Sequence, residues 1–352
     1  MVRLLQSNEG FANRLPIFAT PEFLAARSGE YGWFAGEDFA LPFIVEQKLC
    51  FRRLIFTTEA IPLSEAASPD KEREFLEAVL RVCEAQKEIA VDFISAPQAN
   101  VVFRTVPRGC ENVPWASYIV DLTRSSSEIF SGFHSKHRNV IRNAMTNEVA
   151  VAKTRDVGVI FRNLRETMSR QHLLFYPSEK YLNALATLLG ENVTFYTASH
   201  RGQLQGCAVV VHNHLGAFYY RGGSIERPAT GSLNLLQFEI MKDLQHKGVP
   251  VYDLMGARPN TGGNNKIENI QRFKARFASD IRQGYSFRSI IRPVKYRLFV
   301  TAVRGYFRLK GSNYSGDVID QSIRAEQKLA MVGSLQETDH CEAASDRSPE
   351  VR

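Results

Sequence analysis

The pattern of apolar and polar positions predicts that strands dominate the first third of the chain. Three segments are rich in β-branched and aromatic residues, as half-buried strands are: YGWFAG (31–36), FALPFIVEQ (39–47) and LCFRRLIFT (49–57). A helix over 68–87 follows, because a Ser-Pro-Asp start precedes apolar residues at helical spacing. IAVDFIS (89–95) and ASYIVDLT (116–123) then predict two further strands.

A second helix is predicted over 125–148. Ser125 precedes Glu128 in the arrangement of a capping box, where each side chain bonds the other residue's backbone. An apolar stripe runs along one face, formed by Ile129, Phe133, Val140, Ile141 and Ala144. Cations occupy the rest of the helix surface, so this face meets either solvent or an anionic ligand.

The second half of the chain alternates strands with helices. Helices are predicted at 159–174, 178–189, 232–248 (with Ser232 as its cap), around 269–277, and at 293–310. Strands are predicted at 149–155 and 249–257, with a meander of three antiparallel strands over 193–224. Mixed strands flanked by helices indicate an α/β or α+β layered fold.

Charge is distributed unevenly along the 352 residues. The net charge is +7, but the segment 281–316 contains eight Lys and Arg and not one acid. Such a field attracts phosphate on a nucleotide, on RNA or on an anionic membrane, or else is a solvated face. The scattered cysteines suggest neither a disulfide framework nor a zinc site. Without a long apolar run or a secretory signal pattern, we expect a cytoplasmic protein.

Residues 218–277 contain four motifs in succession: YYRGGS (219–224), LLQFE (235–239), VYDLMG (251–256) and FKARF (273–277). In content and order these motifs resemble the Fem family of peptidoglycan-bridge aminoacyltransferases and the related acyltransferase domains of polysaccharide biosynthesis. KHRNVIR (136–142) is similar to the family's Lys-x-Arg-x-x-Ile-Arg element, and LPIFATPEFLAA (15–26) to its opening segment. The resemblance therefore covers most of residues 15–290.

The resemblance implies two tandem GNAT-like domains, which we expect at 1–148 and 149–310, followed by a disordered acidic tail at 311–352. It also implies that an acyl or aminoacyl group moves from aminoacyl-tRNA or acyl-CoA, without a tightly bound cofactor or metal. The acceptor would be an amine on a nucleotide-linked or lipid-linked precursor of the cell envelope, an amino sugar or a muropeptide. Contact with tRNA would follow if aminoacyl-tRNA is the donor.

Lys274 is the predicted catalytic residue. It matches the family's Phe-Lys lysine, and a fixed cation could stabilise the oxyanion that forms when an amine attacks an ester or thioester. Phe273 and Phe277 lie four residues apart and would hold the helix in place, and Phe273 is also a substrate-binding candidate. The alternative is a surface lysine beside core phenylalanines.

The resemblance also marks three substrate-binding candidates in or beside the strands. Tyr219 matches a pocket tyrosine, and Arg221 stands where the family commonly has an aromatic residue. Arginine binds phosphate or carboxylate bidentately, which suggests a more acidic substrate. Asp253 either orients Lys274 or ties down the following loop. Each of these residues could instead have a purely structural role.

Lys136, Arg138 and Arg142 invite a phosphate-binding interpretation, and an exposed helix face explains them equally well. The segment RPATGS (227–232) bears on the identity of the acyl donor. Thr230 replaces the first glycine of the pyrophosphate-binding loop of CoA-dependent enzymes, which weakens the case for CoA. Three functions therefore stay open: a Fem-like N-acyltransferase, a CoA-dependent acetyltransferase, and a catalytically idle protein that binds a membrane or RNA. The basic, aromatic segment 293–312 would provide the peripheral membrane contact.

Overall fold

A computed structural model describes residues 1–8, 10–171, 176–259, 261, 263 and 265–327. The first part of the chain forms β1 (Arg3–Leu5), α1 (Pro21–Arg27), β2 (Tyr31–Ala35), β3 (Phe39–Lys48), β4 (Phe51–Phe56), β5 (Ile61–Pro62), α2 (Pro69–Ala85), β6 (Phe93–Ile94) and β7 (Glu111–Asp121). The segments predicted as strands at 31–36, 39–47, 49–57 and 116–123 are strands, and the helix predicted at 68–87 is α2.

The second part continues through α3 (Ser126–Gly132), α4 (Ser135–Thr146), β8 (Val149–Thr154), α5 (Val157–Arg170), α6 (Glu179–Leu189), β9 (Val193–His200), β10 (Gln203–Asn213), β11 (Gly216–Ser224), α7 (Ser232–His246), β12 (Val251–Asp253), α8 (Asn265–Ala275), β13 (Asp280–Ile290) and α9 (Pro293–Leu309). The predicted antiparallel meander is confirmed as β9, β10 and β11.

The strands form one mixed sheet in the order β1-β2-β3-β4-β6-β13-β7-β12-β11-β10-β9-β8, with β5 paired to β3. Helices flank this sheet, so the predicted α/β layering is confirmed. Most neighbours are antiparallel, but β4 pairs with β6 and β11 with β12 in parallel. The late strand β13 lies between β6 and β7 and joins the two parts of the sheet.

Separate apolar clusters cover the faces of the sheet. One packs α3, α4 and α7 against β9 to β12, and another packs α5 and α6 on the opposite side of β9 to β11. In the first part of the chain, α2 packs on β2 to β4. The first cluster takes in Val120 of β7 and the α2 cluster takes in Phe287 of β13, so the parts of the chain interlock through these two strands.

The prediction of one helix over 125–148 is wrong, because the chain breaks between α3 and α4. Phe133 and His134 are extended, and the Phe133 side chain is buried in the core. The His134 imidazole then accepts a hydrogen bond from the backbone N–H of Lys136, so it caps α4. The predicted capping box at Ser125 and Glu128 is confirmed at the start of α3.

Two smaller predictions need correction. The strand expected over 89–95 is only the two residues of β6. The cap of α7 is Gly231, in a left-handed conformation, while Ser232 is the first helical residue and is fully buried. Packing requires glycine here, because a Cβ at residue 231 would lie 2.2 Å from the Val140 carbonyl oxygen of α4.

The packed chain extends past the predicted boundary at residue 310. The side chain of Ile319 is buried, and Asp317 and Asp320 both form ion pairs with Arg288 of β13. The part of the predicted tail from 328 to 352 lies outside the described residues. The division at residue 148 stays a prediction.

Candidate active site

The ammonium group of Lys274 is held near the end of α8. Its Nζ donates hydrogen bonds to the carbonyl oxygens of Met255, at 2.5 Å, and Gly256, at 3.4 Å. The side chain is half-buried. Lys274 is therefore anchored to the segment that follows β12, and it is not a freely solvated surface cation.

The anchoring carbonyls are placed by an unusual turn. Both Met255 (φ 60°) and Gly256 (φ 48°) are in the left-handed region, which a non-glycine residue such as methionine rarely adopts. The Asp253 carboxylate accepts a hydrogen bond from the backbone N–H of Met255 at 2.6 Å, which holds the turn. Sites of backbone strain of this kind often accompany function.

Burial lowers the pKa of Lys274 to about 8, and the nearby negative charge of Asp253 opposes this shift. A lysine with this pKa is mostly protonated at neutral pH and loses its charge in mildly basic solution. Lysines that take part in proton transfer are commonly tuned into this range by burial and neighbouring charges.

Asp253 is the centre of a buried polar network. Its carboxylate accepts from the Ser117 hydroxyl and from the Arg282 guanidinium, which lies 3.3 Å away. Arg282 also donates to Glu59 at 2.7 Å, so the network joins β12, β13 and the loop after β4. Burial raises the pKa of Asp253, and the Arg282 charge counteracts that rise.

Phe273 and Phe277 lock α8 against α4. Their rings are 5.2 Å apart, and the His137 ring lies 4.4 Å from that of Phe277. The His137 Nε2 also lies 3.0 Å from the Phe273 carbonyl oxygen, and the N–H of His134 donates to the Arg276 carbonyl. Phe277 lies in the turn after the helix, not within it as predicted, but it keeps the same face. The contacts of α4 therefore fix the position of Lys274.

A β-bulge in β11 separates Tyr219 from Arg221. Val209 and Val210 of β10 are paired with Arg221 and Tyr219, which leaves Tyr220 as the extra residue. Tyr219 packs on the side of α7. The Arg221 guanidinium lies over the Tyr220 ring at 4.2 Å, with Tyr220 packed on the opposite side. The bulge therefore directs Arg221 away from Tyr219.

The Tyr219 side chain is hydrogen-bonded to Gln237, which also accepts from the Tyr252 hydroxyl at 2.9 Å. Gln237 is buried, as its place on the apolar stripe of α7 predicts. Burial raises the pKa of Tyr219. This polar chain ties the centre of the sheet to α7.

The Arg221 side of the sheet has a cluster that the sequence did not reveal. The hydroxyls of Tyr220 and Tyr181 are 2.6 Å apart, and Arg27 of α1 lies 3.4 Å from Tyr220. Arg221 is half-buried and donates to its neighbour's carbonyl. Although burial opposes it, the charges of Arg221 and Arg27 lower the pKa of Tyr220.

β11 and β12 separate next to Lys274. Their parallel pairing consists of Ala217 with Tyr252 and Phe218 with Asp253. After Asp253, the N–H groups of Leu254 and Gly256 donate to the carbonyls of Tyr118 and Ala99, away from β11. The edge of β11 from Tyr219 onward therefore has no strand partner on this side among the described residues, which leaves a gap in the sheet.

A cleft of about 440 Å³ borders the anchoring turn. Tyr118, Ala257, Arg258, Gln271 and Arg272 are among its lining residues. Because Ala257 directly follows Gly256, the cleft begins one residue from the carbonyls that hold Lys274. A larger cavity of about 1050 Å³ lies elsewhere, between the start of β9 and the end of β10, and contains none of the predicted site residues.

The three predicted phosphate-binding cations of α4 have different environments. Arg138 donates to the carbonyls of Ser131 and Phe133, so it closes the end of α3. Arg142 is exposed over the Phe130 ring at 5.3 Å. Lys136 is exposed, and the described residues provide no ion pair for it. Lys136 and Arg142 are thus the cations of this helix that could meet a ligand.

The structure joins some of the predicted site residues and separates others. Lys274, Asp253 and Phe273 converge near the gap between β11 and β12, with α4 packed beside them. Tyr219 is bound to Gln237 within the sheet, and Arg221 lies on the other side of β11. Arg282, Glu59 and Ser117 were missed, because their sequence surroundings carry no motif and only the fold brings them to Asp253.

A known family model matches the part of the chain that contains this site. Residues 135–274, from the start of α4 to Lys274, match the family model described as an acetyltransferase (GNAT) domain. This segment is therefore similar to GNAT acetyltransferase domains. It ends at the residue that the sequence marked as catalytic, and it contains α4, β11, α7 and β12.

Solved structures with low sequence identity share the fold. A crystal structure of FemX superposes with a TM-score of 0.59 at 10% identity, covering 80% of this chain and 94% of that one. A conserved protein of unknown function from Bacteroides thetaiotaomicron superposes with a TM-score of 0.51 at 12% identity, covering 82% and 100%. No curated protein matches the chain in sequence. The described helices include none with the length and apolarity to cross a bilayer.

Proposed function

We propose that the chain is an N-acyltransferase that moves an acyl or aminoacyl group onto an amine of a cell-envelope precursor, an amino sugar or a muropeptide. The observation that carries the proposal is the Lys274 ammonium, which is fixed on two carbonyls at the edge of the gap between β11 and β12. The order of motifs shared with the Fem family and the likeness of the fold to FemX support the aminoacyl branch.

The reaction begins when the neutral acceptor amine attacks the carbonyl carbon of the donor ester or thioester. A C–N bond forms and the carbonyl oxygen becomes an oxyanion, which the Lys274 ammonium stabilises. The C–O or C–S bond of the donor then breaks, and the amine proton passes to the departing oxygen or sulfur. In the resting geometry, the Met255 and Gly256 carbonyls keep the ammonium at the site before the oxyanion forms.

The donor belongs to one of two classes, acyl-CoA, which GNAT domains use, and aminoacyl-tRNA. CoA-dependent enzymes bind pyrophosphate at a helix N-terminus that follows a glycine-rich loop. Here the start of α7 packs against α4, with Gly231 against the Val140 carbonyl and Ser232 fully buried. This packing favours a donor that does not depend on that turn.

Phosphate on the acceptor would meet cations at the edges of the site. Lys136 and Arg142 are exposed on α4, which packs directly against the end of α8. Arg221 is half-buried on the other side of β11 and could bind a carboxylate or phosphate there. The proposed acceptor therefore carries negative charge as well as its amine.

Transfer assays test the proposal. Purified protein is incubated with acetyl-CoA or alanyl-tRNA and with a uridine-nucleotide-linked amino sugar or muropeptide, and acylated product is measured by mass spectrometry. Lys274→Ala should lower turnover by about 100-fold or more, the usual effect of removing an oxyanion-stabilising group. Lys180→Ala, at an exposed position of α6, is the matched control and should leave turnover unchanged.

Normal turnover in the Lys274→Ala protein would remove this lysine from the mechanism. The thermal unfolding midpoint is measured in parallel, because a variant that has lost its fold would lose activity for another reason. Saturable binding of CoA in calorimetry would favour the acetyltransferase alternative. Failure to acylate any of these amines with either donor would contradict the proposed function.

A further inference from the structure

Half of the cations in the acid-free segment 281–316 are neutralised by acids from elsewhere in the chain. Arg282 pairs with Glu59 and Asp253, and Arg288 pairs with Glu111, Asp317 and Asp320. Arg292 and Lys295 both pair with Asp92, which precedes β6. These four residues serve the fold, so they do not explain the charge that remains.

The other four cations are Arg297, Arg304, Arg308 and Lys310, and all of them are exposed. The part of the chain that the structure describes provides no ion pair for their side chains. Arg297, Arg304 and Arg308 are separated by seven and four residues, so they form one row along α9. A row of three arginines that have no ion pair among the described residues is a surface for anions.

Beside this row, α9 presents apolar side chains to solvent. Val294, Leu298 and Leu309 are 71%, 56% and 88% exposed, and their spacing of four and eleven residues places them on one face. Small or short residues, Thr301 and Gly305, lie between them on that face. The opposite face is the packed one, since Tyr296 and Phe299 contact the Phe93 ring at 5.0 and 4.9 Å.

Another exposed leucine lies close to α9. Leu49, at the tip of the β3–β4 hairpin, is 86% exposed and has a φ of 56°. Glycine or asparagine normally occupies such a position, so a leucine there is unfavourable both for the backbone and for hydration. The carbonyl of the next residue, Cys50, accepts a hydrogen bond from Lys295, which joins the hairpin tip to α9.

We infer that α9, together with the β3–β4 hairpin tip, docks on the surface of an anionic phospholipid bilayer. The apolar face of Val294, Leu298 and Leu309 would enter the interface, and the arginine row would meet the lipid phosphates. Because both features lie on α9, outside the acyl-transfer site, this surface is independent of the proposed activity.

The charge pattern favours a membrane over the other occupants of such a face. In a symmetric dimer, the same face of a second copy would bring its own arginine row against the first, and like charges would repel. RNA would satisfy the arginines but would leave the leucines exposed to water. An anionic bilayer provides both negative charge and an apolar interior.

Sedimentation with lipid vesicles tests this inference. The full chain is mixed with vesicles of phosphatidylcholine alone and of phosphatidylcholine with phosphatidylglycerol. We expect binding to the anionic vesicles, with weak binding to the neutral ones. Leu298→Ser should weaken binding about tenfold or more, since a leucine side chain loses its apolar contact. Arg304→Gln should weaken it about fivefold, the usual effect of one cation near an anionic surface.

Matched control variants lie on α5 and α6. Leu188→Ser replaces another exposed leucine, and Arg162→Gln another exposed arginine. Both should bind vesicles as the unchanged chain does. Because Leu298 is already more than half exposed, its variant should fold normally, which circular dichroism verifies.

Three results would overturn the inference. One is equal binding of the unchanged chain to neutral and anionic vesicles, or to neither. Another is a dimer in light scattering that Leu298→Ser dissociates, since the apolar face would then belong to a second copy. The third is retention by RNA without retention by anionic vesicles. Acyl transfer measured without lipid is unaffected by any of these outcomes, so the two proposals can fail separately.

Discussion

Within the described residues, the sheet contains two parallel strand pairs, each only two residues long, but the chain continues differently after each. We call β4–β6 the closed pair, because the chain stays beside β4, and β11–β12 the open pair, because the chain leaves β11. β4 and β6 pair through Arg53 with Phe93 and Leu54 with Ile94. β11 and β12 also pair at two positions. After β6, however, the chain stays beside β4, since the N–H of Ser95 donates to the Leu54 carbonyl and the Asn100 amide donates to the Thr57 carbonyl.

After β12, the chain turns the other way, toward β7. The Gly256 N–H donates to the carbonyl of Ala99, which belongs to the segment that closes the first pair. The closed pair thus supports the open one. The proposed site lies where β11, among the described residues, has no strand partner on its β12 side beyond Phe218. The β4–β6 pair, which stays closed, provides the rigid support for this gap.

The strongest test of this difference concerns the acids beside the two pairs. Asp253→Ala should lower the free energy of unfolding by about 2–4 kcal/mol, because the buried Ser117 hydroxyl and the Met255 N–H would both lose their acceptor, although Arg282 keeps Glu59 as a partner. Asp92→Ala should cost about 1–2 kcal/mol, because only one backbone N–H, that of Arg52, would lose the carboxylate as its acceptor. Urea unfolding at pH 7 measures both values.

Asp253→Asn provides the control for this comparison. The amide oxygen can still accept from the Met255 N–H, while the charge that pairs with Arg282 is lost. We therefore expect Asp253→Asn to lower the free energy of unfolding, but by less than Asp253→Ala does. Equal losses for Asp92→Ala and Asp253→Ala would show that the open pair has no special dependence on its acid.

Lys274 provides a pH-dependent test of the open pair. Its pKa is about 8 in the folded chain and near 10.5 for an ordinary lysine, so between these values the unfolded chain binds a proton that the folded chain has released. The free energy of unfolding should therefore rise with pH across this window, relative to Lys274→Met. We expect a relative gain of about 2 kcal/mol between roughly pH 8 and pH 10.

The measurement is urea unfolding of both proteins over this pH range. Lys180→Met, at an exposed position, should show no such difference from the unchanged chain. A constant difference between the unchanged protein and Lys274→Met across the range would mean that the lysine is solvated normally. In that case the anchoring by Met255 and Gly256 would not hold in solution.

Much of the fold could be predicted from local signals. The capping box of α3, the start of α2 at Ser68 and the β-branched and aromatic content of β2 to β4 are each features of residues close in sequence. The break at Phe133 was missed, because a phenylalanine on a helical stripe is indistinguishable from one that ends a helix to enter the core. The local pattern indicates Ser232 as the cap of α7, because the close packing of Gly231 against Val140 involves a different helix and leaves no signal in the neighbouring residues.

The site residues that belong to a sequence motif could be predicted. Those brought together only by the pairing of distant strands could not. The family motif marked Lys274, and the structure shows the carbonyls that hold it. Glu59 and Arg282 are 223 residues apart, and β13 brings them together by inserting between strands formed much earlier. The cationic run likewise looked uniform in sequence, although the first half of it is neutralised by distant acids.

The smallest expected effect concerns the closure of the first strand pair. Asn100 is buried, and its amide is 2.8 Å from the Thr57 carbonyl. Asn100→Ala would leave that carbonyl without a partner, which should lower the free energy of unfolding by about 1–2 kcal/mol. Asn112→Ala removes an exposed amide and should change stability by less than about 0.5 kcal/mol.

Turnover of the Asn100→Ala protein shows whether Asn100 only stabilises the fold or also affects the reaction. The Ala99 carbonyl keeps its hydrogen bonds from Gly256 and from the Trp115 indole, so the turn that anchors Lys274 should stay in place. Turnover should therefore fall far less than in Lys274→Ala, by about threefold or less. A loss as large as that of Lys274→Ala would mean that closing the first pair is itself required to hold the second pair open.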